Sequence, residues 1–274
     1  MLASSARRGG KAASIGAVIL LLLATMARAE NVVFQSTDTP PFWSAQLPEN
    51  GLGGATLKLL SAAAGVEYSI EYLPVKRYRH SLATYIVGDP DILINQKRRA
   101  VFPIGLFRSA FFYYKPHHDV IEFHSLRDLK GHTLGVLRGT LENRDYFVSN
   151  GINVEENDSV ESLLKKLKRG RIDLCILVDV AGRYTIKKIF PDEQDNFVQV
   201  AISGSVRPIA IMIDVAEPDG RAVAQRYRKV LDKTLKSPEY HDILEKFYGK
   251  NNIPGDMFEQ LQRFGQVYAI DWDH

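Results

Sequence analysis

The chain has 274 residues, 45% hydrophobic, 24% charged and 10% aromatic, with a single cysteine. Such a chain can bury a core in two lobes or domains and is not disordered. One cysteine excludes both an intramolecular disulfide and a multi-thiolate metal site, and the formal net charge of +3 originates at one end of the sequence.

Arg7, Arg8 and Lys11 form a basic stretch without acids, Ile15 to Met26 an apolar run, and Ala27-Arg28-Ala29 an A-x-A cleavage site. This is the pattern of a secretory signal peptide over residues 1–29. The run is shorter than the roughly twenty residues a membrane span needs, which weakens the rival reading of an uncleaved anchor. Removing it leaves 31 basic against 32 acidic side chains, so the basicity belongs to the targeting segment and a nucleic-acid partner loses its support. No later stretch approaches membrane-span length, which argues against stable membrane insertion after cleavage. A secreted chain without paired cysteines suits a bacterial periplasm.

Asn31 to Ser36 reads as a strand ending at the rigid loop Thr37-Asp38-Thr39-Pro40-Pro41. Leu57, Leu59, Leu60 and Ala64 mark a helix stopped at Gly65, and Glu67 to Leu73 alternates as a strand. A helix is predicted from Val75 to about Val87, closed by Gly88, then short strands at Asp91-Ile92-Leu93-Ile94 and Ala110 to Tyr114. Thr133 to Leu137 is a strand entering the turn Arg138-Gly139-Thr140. Val160, Leu163, Leu164 and Leu167 lie on one helical face, with Asp158 as N-cap, Glu161 at the capping-box position and Gly170 at the end. A strand at Ile172–Val178, a helix from about Val180 to Ile189, and strands at Val198–Ile202 and Ile209–Ile213 follow. Val223, Tyr227, Val230 and Thr234 share a helical face, and Ser237-Pro238 starts another helix carrying Tyr240, Ile243, Leu244 and Phe247. Strands alternating with helices predict an α/β fold with mostly parallel sheets.

The chemistry-bearing motifs are largely absent. There is no G-x-S-x-G elbow, no phosphate-binding G-x-x-x-x-G-K-[ST] and no G-x-G-x-x-G after a strand. His117, His118 and His124 lack the spacing of a zinc helix. Glu155-Glu156, Asp271 and Asp273 lie in polar segments that would not raise a carboxyl pKa. Cys175, in the run Ile172–Val178, reads as a small buried hydrophobe. The chain is therefore expected to be no enzyme and to carry no cofactor and no metal.

Several short marks recur in a fixed order: Thr39-Pro40-Pro41-Phe42, Gly51 and Gly53 before the first helix, Asp91-Ile92-Leu93-Ile94, an arginine-bearing loop, Ala110 to Lys115, Ser125-Leu126-Arg127-Asp128-Leu129-Lys130-Gly131, Gly139-Thr140, and Gly170-Arg171-Ile172-Asp173 through Asp179. In that order the chain resembles bacterial periplasmic solute-binding proteins of the polar amino-acid family (family 3). It departs from them where the first helix reads Ala55-Thr56-Leu57-Lys58 without an acid, and where the arginine loop is the shorter Asn95-Gln96-Lys97-Arg98-Arg99. The resemblance implies a two-lobed type II periplasmic-binding-protein fold with an interlobe cleft: residues 30–115 in lobe 1, 116–206 in lobe 2, and 207–274 returning to lobe 1 as C-terminal helices. Connecting segments near Lys115–Pro116 and Ser205–Pro208 would form its hinge.

The same resemblance implies a ligand set. Arg98 matches the family's loop arginine by position, with Arg99 one residue away; a planar guanidinium suits a ligand carboxylate. Gly139 and Thr140 match the turn that offers backbone N–H groups and a hydroxyl to that carboxylate. Asp179 matches the acid that takes an α-amino group, though it could equally cap the helix after it. Phe42 and Trp43 match the aromatic over the ligand, with core packing the alternative for Phe42. The implied function is capture of a small polar solute, an amino acid or related organic acid, for an inner-membrane ABC permease. A stand-alone sensory or accessory protein is the first alternative and a periplasmic enzyme on the same scaffold the second. Mass spectrometry of the secreted fraction is expected to find Glu30 at the N-terminus; an intact Met1 form held in the membrane would refute the cleavage.

Overall fold

The computed structural model describes residues 31–94, 98–117, 125–141, 143–250 and 253–271. The expected signal segment 1–29 and the residues His118 and His124 lie outside the described residues. Eight strands form one mixed sheet: β1 (Asn31–Thr37), β2 (Glu67–Leu73), β3 (Tyr85–Gly88), β4 (Arg99–Tyr114), β5 (Thr133–Leu137), β6 (Asn153–Asn157), β7 (Leu174–Val178) and β8 (Phe197–Asp214), in the order β2-β1-β3-β8-β4-β7-β5-β6. The β1–β2, β1–β3, β5–β6 and β5–β7 pairs are parallel, and those involving β4 or β8 are antiparallel. Among the described residues eight α-helices cover it: α1 (Gly51–Ala64), α2 (Val75–Arg79), α3 (Arg144–Ser149), α4 (Val160–Lys168), α5 (Asp179–Ile189), α6 (Pro218–Leu235), α7 (Pro238–Tyr248) and α8 (Met257–Val267). This is the α/β fold that the alternation of elements predicts, with the two lobes that the family resemblance implies. Among the described residues no helix is long and apolar enough to cross a membrane.

Strands β4 and β8 run through both lobes, paired from Arg99–Asp214 at one end to Tyr114–Phe197 at the other. Even-numbered residues of β4 feed two successive cores. Phe102, Ile104 and Leu106 pack with Phe34, Leu57, Leu60 and Tyr227, whereas Ala110, Phe112 and Tyr114 pack with Leu163, Leu164, Leu177 and Ile186. Smaller clusters around Tyr78, Ile86 and Met212, and around Tyr113, Leu134 and Leu174, complete the two lobes. Residues 110–114 thus already pack in the second core, upstream of the passage expected near Lys115–Pro116. The C-terminal helices return to the first lobe. Ser61 and Tyr227 share a 2.6 Å hydrogen bond, Tyr240 donates to the Ile104 carbonyl at 3.0 Å, and Arg108 grips the Asp256 carboxylate at 2.6 and 2.9 Å.

Several sequence expectations are corrected. The helix begun at Val75 ends at Arg79, and Tyr85–Gly88, expected within it, is strand β3. Asp91-Ile92-Leu93-Ile94 is no strand: Pro90–Ile92 is a 3₁₀ turn in which the Asp91 N–H donates to the Asp89 carboxylate. The expected strands at Val198–Ile202 and Ile209–Ile213 are parts of one, β8. Helix α4 is capped by the Ser159 hydroxyl, which accepts from Ser162 N, while Asp158 pairs with Arg138 at 2.8 Å. Cys175 is fully buried, and burial pushes its thiol pKa up, as a small apolar role requires.

The loop after β1 fixes the start of α1 through backbone groups. The carbonyls of Pro41 and Phe42 accept from Leu52 N and Gly53 N at 3.2 and 2.9 Å, serving N–H groups that a helix start leaves without partners. Gly51 has φ +85°, and a Cβ there would stand 2.4 Å from the Pro41 oxygen. A Cβ on Gly53 would stand 2.4 Å from the Trp43 ring, which is only 2% exposed. Gly53→Ala gains up to about 1 kcal/mol of helix propensity, but overpacking a buried indole costs about 1–3 kcal/mol. The expected net is a loss of about 1–2 kcal/mol, read as a lower urea midpoint at unchanged slope; equal stability would show that the indole has room to move.

Candidate functional site

The carboxyl ends of parallel strands are where α/β sheets expose loops to ligands, and here the loops after β1 and β7 lead into one cavity of about 680 Å³ between the lobes. Pro41, Leu52 and Ala55 line it from the first lobe together with Phe247 and Tyr248 of α7; Phe112, Val180, Tyr184 and Phe197 line it from the second. The size is that of a small-molecule pocket. Its charged residues are Glu49 and Lys246 on one lobe and Arg183 and Lys187 on the other. The hydrogen bond and charge of Lys58, at 2.9 Å, hold the Glu49 carboxyl below its usual range, with a smaller pull from Lys246. Tyr248 donates to the Leu106 carbonyl at 3.0 Å; burial, then the nearby Asp179 charge, push its hydroxyl pKa up.

A second meeting of the lobes lies at the turn after β5. Arg79, the last residue of α2, donates from Nη1 to the Gly139 carbonyl at 2.6 Å, and its buried Nε has no acceptor. Gly139 has φ +74°, which a glycine adopts without strain.

The seven residues singled out from the sequence are not brought together. Asp179 is the first residue of α5, beside the cavity; its carboxylate accepts from Val180 N at 2.6 Å and lies 3.8 Å from Arg183, while the N-cap position is Val178 and carries no side-chain cap. Gly139 and Thr140 sit at the Arg79 contact, with the Thr140 hydroxyl spent on the Leu137 carbonyl at 2.8 Å. Phe42 is core, its ring 5.3 Å from Phe247 and 6.2 Å from Phe107. Trp43 is buried as well, because α1 packs directly on its ring.

Arg98 and Arg99 are a correction. Arg99 starts β4 opposite Asp214, at the edge of the first lobe away from the crossing, and Arg108 lies nine residues further along the strand. At about 3.3 Å per residue that is roughly 30 Å. Arg99 is buried there, donating to the Ser81 and Ala83 carbonyls, and desolvation lowers its pKa while Asp214 opposes the shift. Arg98 donates to the Asp271 carbonyl. The physical reason is the misplaced strand: β3 lies at Tyr85–Gly88, paired with β8 from Ile213 to Ala210, and β4 begins opposite Asp214, at the end of β8 away from the crossing. The arginine that joins the two lobes is Arg79, which the run Val75-Lys76-Arg77-Tyr78-Arg79 after Pro74 contains but does not single out, and Arg183 lines the cavity itself.

Other polar clusters belong to the frame. Asp91 joins Arg207 at 3.2 Å and accepts from the Tyr268 hydroxyl at 2.5 Å, tying the turn after β3 to β8 and the C-terminal segment. His117 bonds the Lys168 carbonyl at 2.8 Å. His241, Asp242 and Glu245 offer close donor atoms along α7, where His241 and Asp242 are exposed, an ordinary arrangement on a solvated helix.

No family model matches the chain. Among curated proteins it is 28% identical over 150 residues to the arginine-binding extracellular protein ArtP of Bacillus subtilis (strain 168), a match covering 50% of this chain and 53% of that one. The match thus spans about half the length of the curated relative. Among solved structures, the arginine-, lysine-, histidine-binding protein ArtJ from Geobacillus stearothermophilus superposes with a TM-score of 0.61 at 15% identity, over 85% of this chain and 100% of that one. A histidine kinase sensor domain similar to periplasmic binding proteins gives 0.62 at 17% identity, over 81% and 97%. The resemblance to amino-acid solute-binding proteins read in the sequence is therefore shared by a curated relative, and the fold is that of two-lobed periplasmic binding proteins.

The Arg79 contact makes a prediction about the free protein. A hydrogen bond from a charged donor at a partly exposed site contributes about 1 kcal/mol, so Arg79→Ala is expected to shift the balance between joined and separated lobes about fivefold toward separation. Small-angle scattering of the unliganded variant should give a larger radius of gyration, whereas Arg98→Ala should not. Equal radii for all three proteins would show that the contact does not hold the lobes together.

Proposed function

We propose that the protein captures a small polar solute, an amino acid or related organic acid, in the cleft between its lobes and delivers it as the closed form to an inner-membrane ABC importer. The observation that carries this reading is the interlobe cavity, whose walls come from both lobes. A solute there gains contacts with both only when they are together, so binding shifts the population toward the closed state. The passage between lobes would pivot where β4 and β8 lose register, at Arg108–Ala110 and Ala201–Val206. Arg79, donating to the Gly139 carbonyl, would hold the lobes together at a contact apart from the cavity lining.

An extracytoplasmic location is supported by the signal-like first 29 residues and by a curated relative named as extracellular. That relative and the ArtJ structure are named for binding rather than catalysis. The likeness to a histidine kinase sensor domain favours a second reading, in which the closed form is presented to a signalling partner instead of a permease. A permease and an ATPase encoded beside this chain would favour import, and their absence the sensory role.

A thermal-shift screen of amino acids, organic acids and amines tests the binding step. A solute at a hundred times its dissociation constant stabilises the folded form by about 2.7 kcal/mol, a rise of roughly 5–10 °C for a chain of this size. The same solute should reduce the radius of gyration and leave the far-ultraviolet spectrum unchanged. If no solute in the panel raises the melting temperature, the binding role is wrong.

A further inference from the structure

The lining of the cavity bears on which solutes it accepts, given the reading that it is the binding cleft. The walls are aromatic: Phe112 is 1% exposed, with Tyr184 and Phe247 beside it. The mouth is cationic. Arg183 and Lys187 stand one turn apart on α5, and Lys246 reaches the same cavity from α7 on the other lobe. Against these three cations the lining holds one carboxylate, Glu49, and Asp179 stands next in the chain to the lining residue Val180. Both acids are already engaged, Glu49 by Lys58 at 2.9 Å and Asp179 by the Val180 N–H at 2.6 Å. The hydrogen bond of Arg183 goes to the neutral Gln199 amide at 2.8 Å, with Asp179 a looser 3.8 Å away. Lys187 and Lys246 form no ion pair among the described residues.

Without a ligand, these like charges on opposite lobes oppose closure. An anion between them converts that repulsion into attraction from both sides, so charge and closure are coupled. A cation meets the reverse situation: aromatic faces attract a guanidinium, but three cations line the cavity against one lining carboxylate. We infer that the cleft takes a small carboxylate with an apolar, ring-sized body, and that it discriminates against cationic amino acids. This differs from the ligand that names the curated relative.

Calorimetry on the full chain tests the inference with phenylacetate and glutarate as anions, phenylalanine as a zwitterion with the same ring, and arginine as the cation, at low and at physiological ionic strength. Phenylacetate is expected to bind about tenfold or more tighter than phenylalanine, to weaken as salt rises, and arginine to bind weakest. The doubly reversed variant K187E/K246E changes two exposed side chains, and its fold is checked by its melting curve. It should lose at least about tenfold in phenylacetate affinity and improve for arginine. Tighter binding of arginine than of either anion, or a folded K187E/K246E protein with unchanged anion affinity, overturns the anionic class but leaves solute capture standing. No binding by these four probes or by any solute of the wider screen overturns both.

Discussion

The antiparallel pairing of β4 with β8 is the constraint on which the rest of the structure depends. Each of the other strands attaches to this pair on one side only: β3 and its neighbours to β8 in the first lobe, β7 and its neighbours to β4 in the second. The pair therefore both separates the lobes and keeps them in one sheet. Its regularity fails at one level. β4 passes from Arg108 to Ala110 while β8 passes from Val206 to Ala201, so β8 carries the surplus residues. The Ser205 hydroxyl gathers that excursion, accepting from Ser109 N at 3.2 Å and donating toward the Ser109 and Ile202 carbonyls. A local irregularity of this kind bends a strand pair without dissolving the pairing on either side.

The cavity depends on that frame and on the rigidity of the loop after β1. Because the Pro41 and Phe42 carbonyls serve the first N–H groups of α1, the cavity wall and the core beneath it are parts of one hydrogen-bonded unit. The polar residues at the rim are free of that duty. Their charges sit on α5 and α7, whose apolar faces are buried, and can be altered with little cost to packing.

Much of the frame was legible in the sequence, and the failures have physical causes. The face of Val160, Leu163, Leu164 and Leu167, the Ser237-Pro238 start and the Gly65 stop were read correctly because each is a local signal. β3 was missed because Tyr85-Ile86-Val87 and Ile92-Leu93-Ile94 are equally apolar and too short for periodicity to arbitrate. That slip moved the expected anchor from the cleft to the far edge of the lobe. β6 was invisible because it is an edge strand paired with β5 alone, where the half-buried Glu155 and Glu156 carry no apolar alternation. The expected strand Ala110 to Tyr114 is only the end of β4, whose earlier part carries Pro103 and Gly105 on either side of a register shift. Arg79 could not be recognised because its partner is a backbone carbonyl sixty residues away, and no spacing rule encodes such a contact.

The single thiol has a practical consequence. Cys175 pairs with Phe112 on one side and Gly135 on the other, at the centre of the second lobe's part of the sheet, and nothing comparable exists in the first lobe. A thiol reagent can reach it only through openings that separate β7 from its neighbours. Labelling rates in native buffer therefore measure the local unfolding free energy of one lobe, with no engineered probe and no contribution from the other lobe unless the two unfold together. The protein carries its own gauge of whether its halves are independent cooperative units.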